Sequence, residues 1–500
     1  MMTFKIYFIL GCLFISCSGN SDHNQDNLAV SEKLSQAKTS NGEFISWKEH
    51  IIDDTKSSGI DISGSDGLSI GDLDKDGYID IVSVHESDTE YDGALEGQIR
   101  IAFGSKNPNE WQSITLAQGK EAAAAEDVAI DDINGDGHLD IIAACELGHL
   151  IYFQNPTKDI RSKVWQRIIP ELTLDRGSFI RVFTADFNQD GKPEIITANK
   201  GGQLGAGNND NAVDQTNAIS YFEIHGDPLN NDSWEEHEFL RVKIPINSQP
   251  IDIDHDGDLD VIAGSRGENK IMLLENRSHD SIQFKSHPMN MSRAKRSDGH
   301  REESTHSVPE VNGFNMDFLD VNIDGRLDIV LTEIYDEFPL GRNLVWLEQP
   351  KDWSQDWMMH RIGYISPDRL VGLAIADING DGKKDVLVGG YSRGSRRTDQ
   401  NITINDPLGR LAWFEHPDNP YQPWIRHDIS RRKRGMFDKF IPLDLDDDGD
   451  IDFLSTRGNS LPYDGVFWLE QIRTKGPVKS FVRARKDDSK EMGLSDQNID

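Results

Sequence analysis

Side-chain oxygens at every second residue are the clearest chemistry in this 500-residue chain. One nine-residue phrase, Asp-x-Asp/Asn-x-Asp-Gly-x-x-Asp/Glu, recurs seven times, starting at Asp72, Asp132, Asp186, Asp252, Asp320, Asp377 and Asp444. Short carboxylates and amides at positions 1, 3, 5 and 9 can converge on one point. Glycine at position 6 permits the sharp turn that offers the carbonyl of position 7. A hard cation takes roughly six to eight such oxygens, so the phrase predicts calcium, at up to seven sites. The expected ligands are Asp72, Asp74, Asp76 and Asp80; Asp132, Asn134, Asp136 and Asp140; Asp186, Asn188, Asp190 and Glu194; Asp252, Asp254, Asp256 and Asp260; Asp320, Asn322, Asp324 and Asp328; Asp377, Asn379, Asp381 and Asp385; and Asp444, Asp446, Asp448 and Asp452. The third copy, with Asn188, Pro193 and Glu194, departs most from the pattern.

The elements follow from what flanks each loop. An apolar run such as Ile81-Val82, Ile195-Ile196 or Phe453-Leu454 comes directly after the last ligand, where an EF-hand would continue as a helix. Each loop therefore joins two strands, A and B. A third, aromatic-rich strand C follows, for example over 344–347 or 411–414. A fourth, strand D, often reads Trp-x-x-His, as at Trp234/His237, Trp357/His360 and Trp424/His427. Loop starts lie 60, 54, 66, 68, 57 and 67 residues apart, the period of an array of one supersecondary unit. The last unit lacks a strand D, and the missing phrase, Trp47 to Ile51, stands at the other end of the chain. The expectation is an all-β chain: a single seven-bladed β-propeller of four-stranded blades over 44–474, closed by the N-terminal strand. Closure removes open sheet edges. Residues 475–500 read as a charged tail without an assigned place. Histidines that repeat around a ring, His50, His237, His360 and His427, read as structural.

On these loops and strands the chain resembles the FG-GAP/VCBS repeat family over about residues 44–472, a family whose propellers include the integrin α-subunit head. The resemblance implies the propeller fold and calcium. It leaves the activity open, because the family includes adhesins, anchors and enzymes.

A one-sided site is expected on the face opposite the calcium loops, where the B–C and D–A loops meet. Residues there differ from blade to blade, while the lower face repeats. Arg181, Arg266 and Arg393, with His85, His149 and Tyr391, supply the cation, base and acid that β-elimination from a uronate requires. Lys200, Arg369, Arg396, Lys439 and Arg457 extend a cationic surface suited to an anionic, uronate-containing or sulfated polysaccharide or oligosaccharide. Propeller ulvan lyases and oligosaccharide dehydratases look similar in architecture, with no signature shared residue by residue. The expected activity is that of a carbon–oxygen lyase, a polysaccharide lyase or a dehydratase. The alternative is a non-catalytic surface protein that binds glycan or another protein. A hydrolase pair, Glu86 with Glu146 or Glu333, is a further option. Convergence of His, Tyr and Arg in one pocket would favour elimination, and a dispersed charged surface would favour binding.

Composition and address complete the expectation. The formal charge is −34, and 24 of the carboxylates sit at the loop ligand positions, so acidity is largely a calcium feature. No basic stripe suggests nucleic acid. Lys5, the apolar stretch 6–15 and then Ser16-Cys17 read as a signal peptide over 1–16, with Cys17 lipidated and 17–43 a flexible tether. Cys12 is the alternative anchor. This pattern resembles Bacteroidetes-type lipoproteins and implies an exported protein, lipid-anchored to the outer membrane on its periplasmic or cell-surface side. Cys145 is the one further cysteine in the body, so no disulfide framework is available.

Overall fold

The computed structural model describes residues 28–87, 93–162, 164–201, 215–278, 281–294, 309–334 and 343–495. The proposed signal peptide and Cys17 lie outside these residues. Seven antiparallel sheets of at least four strands each form a ring, a seven-bladed β-propeller. Blade 1 consists of Ser65–Gly71, Asp80–His85, Gln98–Phe103 and Gln112–Gln118, strands A to D from the axis outward. Blades 2 to 6 start their strands A at Ala125, Phe179, Pro245, Val311 and Leu370. Blade 7 takes its strands A to C from Phe440–Leu443, Asp452–Arg457 and Gly465–Thr474.

The N-terminal strand Phe44–Asp54 is the fourth strand of blade 7. It pairs antiparallel with Gly465–Thr474, Trp47 facing Gln471 and His50 facing Trp468. The expected closure is therefore present. Two additions were not foreseen. Phe481–Val482 adds a parallel fifth strand outside Phe44–Asp54, and Met291–Arg293 does the same on blade 5. Chain on both sides of the ring is packed as well. Val30 and Ala37 are buried, and Ser35 and Ser480 donate to the carbonyls of Val478 and Lys33. From residue 28 onward the segment expected as a tether is thus held against the blade. The tail that had no place runs back along blade 7 to residue 495.

Apolar strand faces interlock between blades. One cluster joins Val82, Ile99 and Phe103 of blade 1 to Val128, Ile141 and Phe153 of blade 2. The repeated histidines are structural, as read. His360 stacks on Trp346 at 4.3 Å and bonds Glu348 at 2.8 Å. His427 treats Trp413 and Glu415 in the same way. Such ring pairs contribute about 0.5–1.5 kcal/mol beyond their burial.

A second inter-blade device escaped the sequence reading. A polar side chain in or just after the last part of strand C reaches into the hairpin of the preceding blade. Asn155 donates to the carbonyls of Leu73 and Leu139 at 3.1 and 3.0 Å. Asn276 bridges Phe187 and Leu259, Gln349 bridges Ile253 and Leu327, and Gln471 bridges Ile378 and Ile451. His416 reaches Val321. Each clip satisfies carbonyls that would otherwise be stranded between blades.

Candidate functional site

The acidic hairpins share one construction. Position 1 accepts from the amides of positions 5 and 6: Asp72 from Asp76 and Gly77, both at 3.0 Å, and Asp320 from Asp324 and Gly325 at 2.9 and 2.8 Å. Position 9 turns inward and ties the loop to the exit of strand C. Asp80 accepts from Leu73 at 2.9 Å and Gly104 at 3.0 Å, and Asp452 accepts from Leu445 at 3.1 Å and Gln471 at 2.9 Å. Glycine at position 6 is left-handed in every copy, from φ 85 at Gly137 to φ 97 at Gly257. Position 4 is left-handed too, including Ile323 at φ 59.

Positions 1, 3 and 9 bring carboxylate oxygens within 4.8 Å of one another in the first, fourth and seventh hairpins. These copies have Asp at position 3, whereas the other four offer an Asn amide oxygen there. Burial pushes the position-9 carboxyls up, to about 7 for Asp80, Asp140, Glu194, Asp260, Asp328 and Asp385 and to about 8 for Asp452. The loops therefore hold acidic groups that could carry a metal.

The opposite ends of strands A and B meet near the ring axis. Here the predicted site residues separate. His85 is fully buried at the end of strand B in blade 1, with Nδ1 on Ser65 Oγ at 2.7 Å and Nε2 on Ser83 Oγ at 3.0 Å. Burial, with Arg100 nearby, holds it down to about 3, so it is neutral and enclosed. His149 bonds the Glu121 carbonyl at 2.9 Å and is also lowered by burial. Tyr391 donates its backbone N–H to the Arg369 carbonyl at 2.8 Å, and its ring lies 5.8 Å from Arg393. The hydrogen bonds of the two histidine rings go to Ser65, Ser83 and the Glu121 carbonyl rather than to Tyr391 or these arginines.

Arg457 has a structural task. It bonds Glu49 at 3.2 Å, Asp488 at 2.8 Å and the Tyr463 carbonyl, while Arg432 bonds the same two carboxylates. This buried network welds the closing strand and the tail to blade 7. It is not a substrate contact. Lys439 stands beside Asp317 and Asp438.

Arg181, Lys200, Arg266 and Arg396 do come together. Arg181 lies 3.8 Å from Glu126 and 3.7 Å from Asp438. The guanidinium groups of Arg181 and Arg266 lie 4.5 and 5.5 Å from the centre of the half-buried Phe314 ring. Lys200 pairs with Glu146. Asp66, Glu86 and Glu126 each contribute an oxygen to one cluster within 4.8 Å. Burial, then neighbouring carboxylates, pushes Asp66 up to about 7 and Glu126 up to about 8, with Glu86 raised well above its usual range. Burial takes Lys200 down to about 8.

Asp66, Glu126, Asp438 and Phe314 were missed by counting residues from the loops. The strand-A tops carry β-bulges, with register shifts between Ser65 and Leu68, Ala125 and Asp127, and Phe179 and Arg181. A bulge re-aims the side chains beyond it, so a fixed offset picks the wrong neighbour.

One family profile matches the chain. The profile of a family described as FG-GAP-like repeat matches residues 72–143, 132–197 and 320–388, each match opening at the first ligand position of a hairpin. The chain thus carries FG-GAP-like repeats. No curated protein matches it. Among solved structures, the one titled "Crystal structure of BBS1N in complex with ARL6DN, soaked with mercury" is similar at 9% identity, covering 83% of this chain and 94% of that chain with a TM-score of 0.40.

Proposed function

We propose that this protein is an exported, calcium-loaded propeller that binds an anionic poly- or oligosaccharide at the axial end of its ring. Calcium is supported by the hairpin chemistry. Seven loops present the same hard oxygens, and Asp252 Oδ1 and Asp446 Oδ1 are buried without a hydrogen-bond partner inside two of them. A cation of that class is what such oxygens accept. Asp252, Asp254, Asp256 and Asp260, and their counterparts in the other hairpins, would hold it. The signal-like N-terminus and Cys17 support export and a lipid anchor at the outer membrane.

The observation that carries the binding reading is the half-buried Phe314 ring with two guanidinium groups, Arg181 and Arg266, beside it at 4.5 and 5.5 Å. An aromatic face receives the C–H face of a sugar, and a guanidinium receives its carboxylate or sulfate. Blades 3, 4 and 5 each supply one of these three groups. Uronate oligosaccharides titrated into the calcium-loaded protein are expected to bind, with Arg266→Ala or Phe314→Ala weakening affinity at least about tenfold, or about 1.4 kcal/mol. No binding to acidic glycans, or equal affinity in both variants, would reject the reading.

A second reading, eliminative chemistry on the same ligand, has one observation in its favour. Lys200 and Glu126, near each other on the axis, both exchange protons close to neutrality, as a base and an acid require. Ultraviolet absorbance of an unsaturated uronate, lost in Lys200→Met, would identify turnover. A flat trace leaves the protein a binder.

A further inference from the structure

We infer that Asp66, Glu86 and Glu126 form a further divalent-cation site on the ring axis, built differently from the seven hairpins. The hairpins take their ligands from one local turn. This trio comes from two blades: Asp66 from strand A and Glu86 from just beyond strand B of blade 1, and Glu126 from strand A of blade 2. Each offers an oxygen within 4.8 Å of the other two. All three are buried, Asp66 and Glu86 at 4% exposure and Glu126 at 7%.

One oxygen of the trio has no hydrogen-bond donor. Asp66 Oδ1 is buried and accepts no hydrogen bond. A carboxylate oxygen stripped of water and left without a donor is costly. Arg181 reaches Glu126 only at 3.8 Å, because it is shared with Asp438. Lys200 is committed to Glu146.

The cations Arg181, Lys200 and Arg396 stand near the trio, as do the further carboxylates Asp438 and Asp464. Two glycines leave the room: a Cβ at Gly64 would lie 3.3 Å from Glu86 Oε2, and one at Gly458 would lie 3.7 Å from Asp66 Oδ1. An all-carboxylate set selects a hard ion, Ca²⁺, Mn²⁺ or Mg²⁺.

The test uses the full chain and Mn²⁺ as the probe. Crystals grown with Mn²⁺ should give an anomalous peak between the three carboxylates. In native mass spectrometry, Asp66→Asn and Glu86→Gln should each hold one Mn²⁺ fewer than the parent, with the hairpin ions retained. Circular dichroism identifies a variant that has failed to fold, and the other variant then carries the count. Occupied hairpins with no peak at the trio, or an unchanged ion count in the folded variants, overturn the site. The outcome is independent of glycan binding, since the ion can be present in a protein that binds no sugar.

Discussion

A charged side chain is defined here by what encloses it more than by its type. His85 stands where an acid–base residue was expected, yet Ser65 and Ser83 occupy both ring nitrogens and burial keeps it neutral. Arg457 stood among the expected ligand contacts, yet it is half of a buried network with Arg432, Glu49 and Asp488. Removing one member of such a network strands an uncompensated charge. Arg457→Met should therefore lower stability by about 3–5 kcal/mol in a denaturant melt, with little change in ligand affinity. A near-neutral melt would mean that the network is dispensable. Nothing near Arg457 in sequence announces Glu49 or Asp488, which is why its role could not be read in advance.

At the scale of the element, legibility follows range. The hairpins were readable because their chemistry closes within nine residues, position 1 bonding the amides of positions 5 and 6. The inter-blade clips were not, because Asn155, Asn276, Gln349 and Gln471 act on hairpins in a preceding blade. The left-handed position 4 was also missed. Most copies fill it with Gly, Asp, Lys, Gln or His, but the fifth hairpin has Ile323, a β-branched residue at φ 59 and largely exposed. That conformation costs a branched residue roughly 1–2 kcal/mol, whereas Asn adopts it readily. Ile323→Asn should raise stability by about 1 kcal/mol, read as a higher denaturation midpoint. A lowered midpoint would contradict the strain.

For the molecule as a whole, ring closure was foreseen because strand D was missing at one end and present at the other. The axial cluster was not, since Asp66, Glu126 and Arg181 come from the bulged strands A of three blades and Asp438 from the segment before strand A of the seventh. The ring should also respond to pH in a way set by its metal. The position-9 carboxyls sit at about 7 or 8 in the folded chain, above the unfolded value of about 4. In calcium-stripped protein the folded state then binds more protons than the unfolded one. The stability these carboxyls contribute is fullest below about pH 4 and is lost as pH rises through the folded values. Calcium requires the ionised form and should abolish that fall. Scanning calorimetry of stripped protein from about pH 5 to pH 8 should give a descending melting temperature, and the calcium-loaded protein should not. A rising melting temperature in the stripped protein would contradict the burial of these groups.

The most direct measurement of the central claim is the melting temperature before chelation, after it, and after calcium is restored, with bound ions counted in the same samples. Several calcium ions per chain are expected, with a large drop in melting temperature on their removal and recovery on re-addition. A chain that binds no calcium, or melts unchanged without it, would contradict the calcium-loaded propeller.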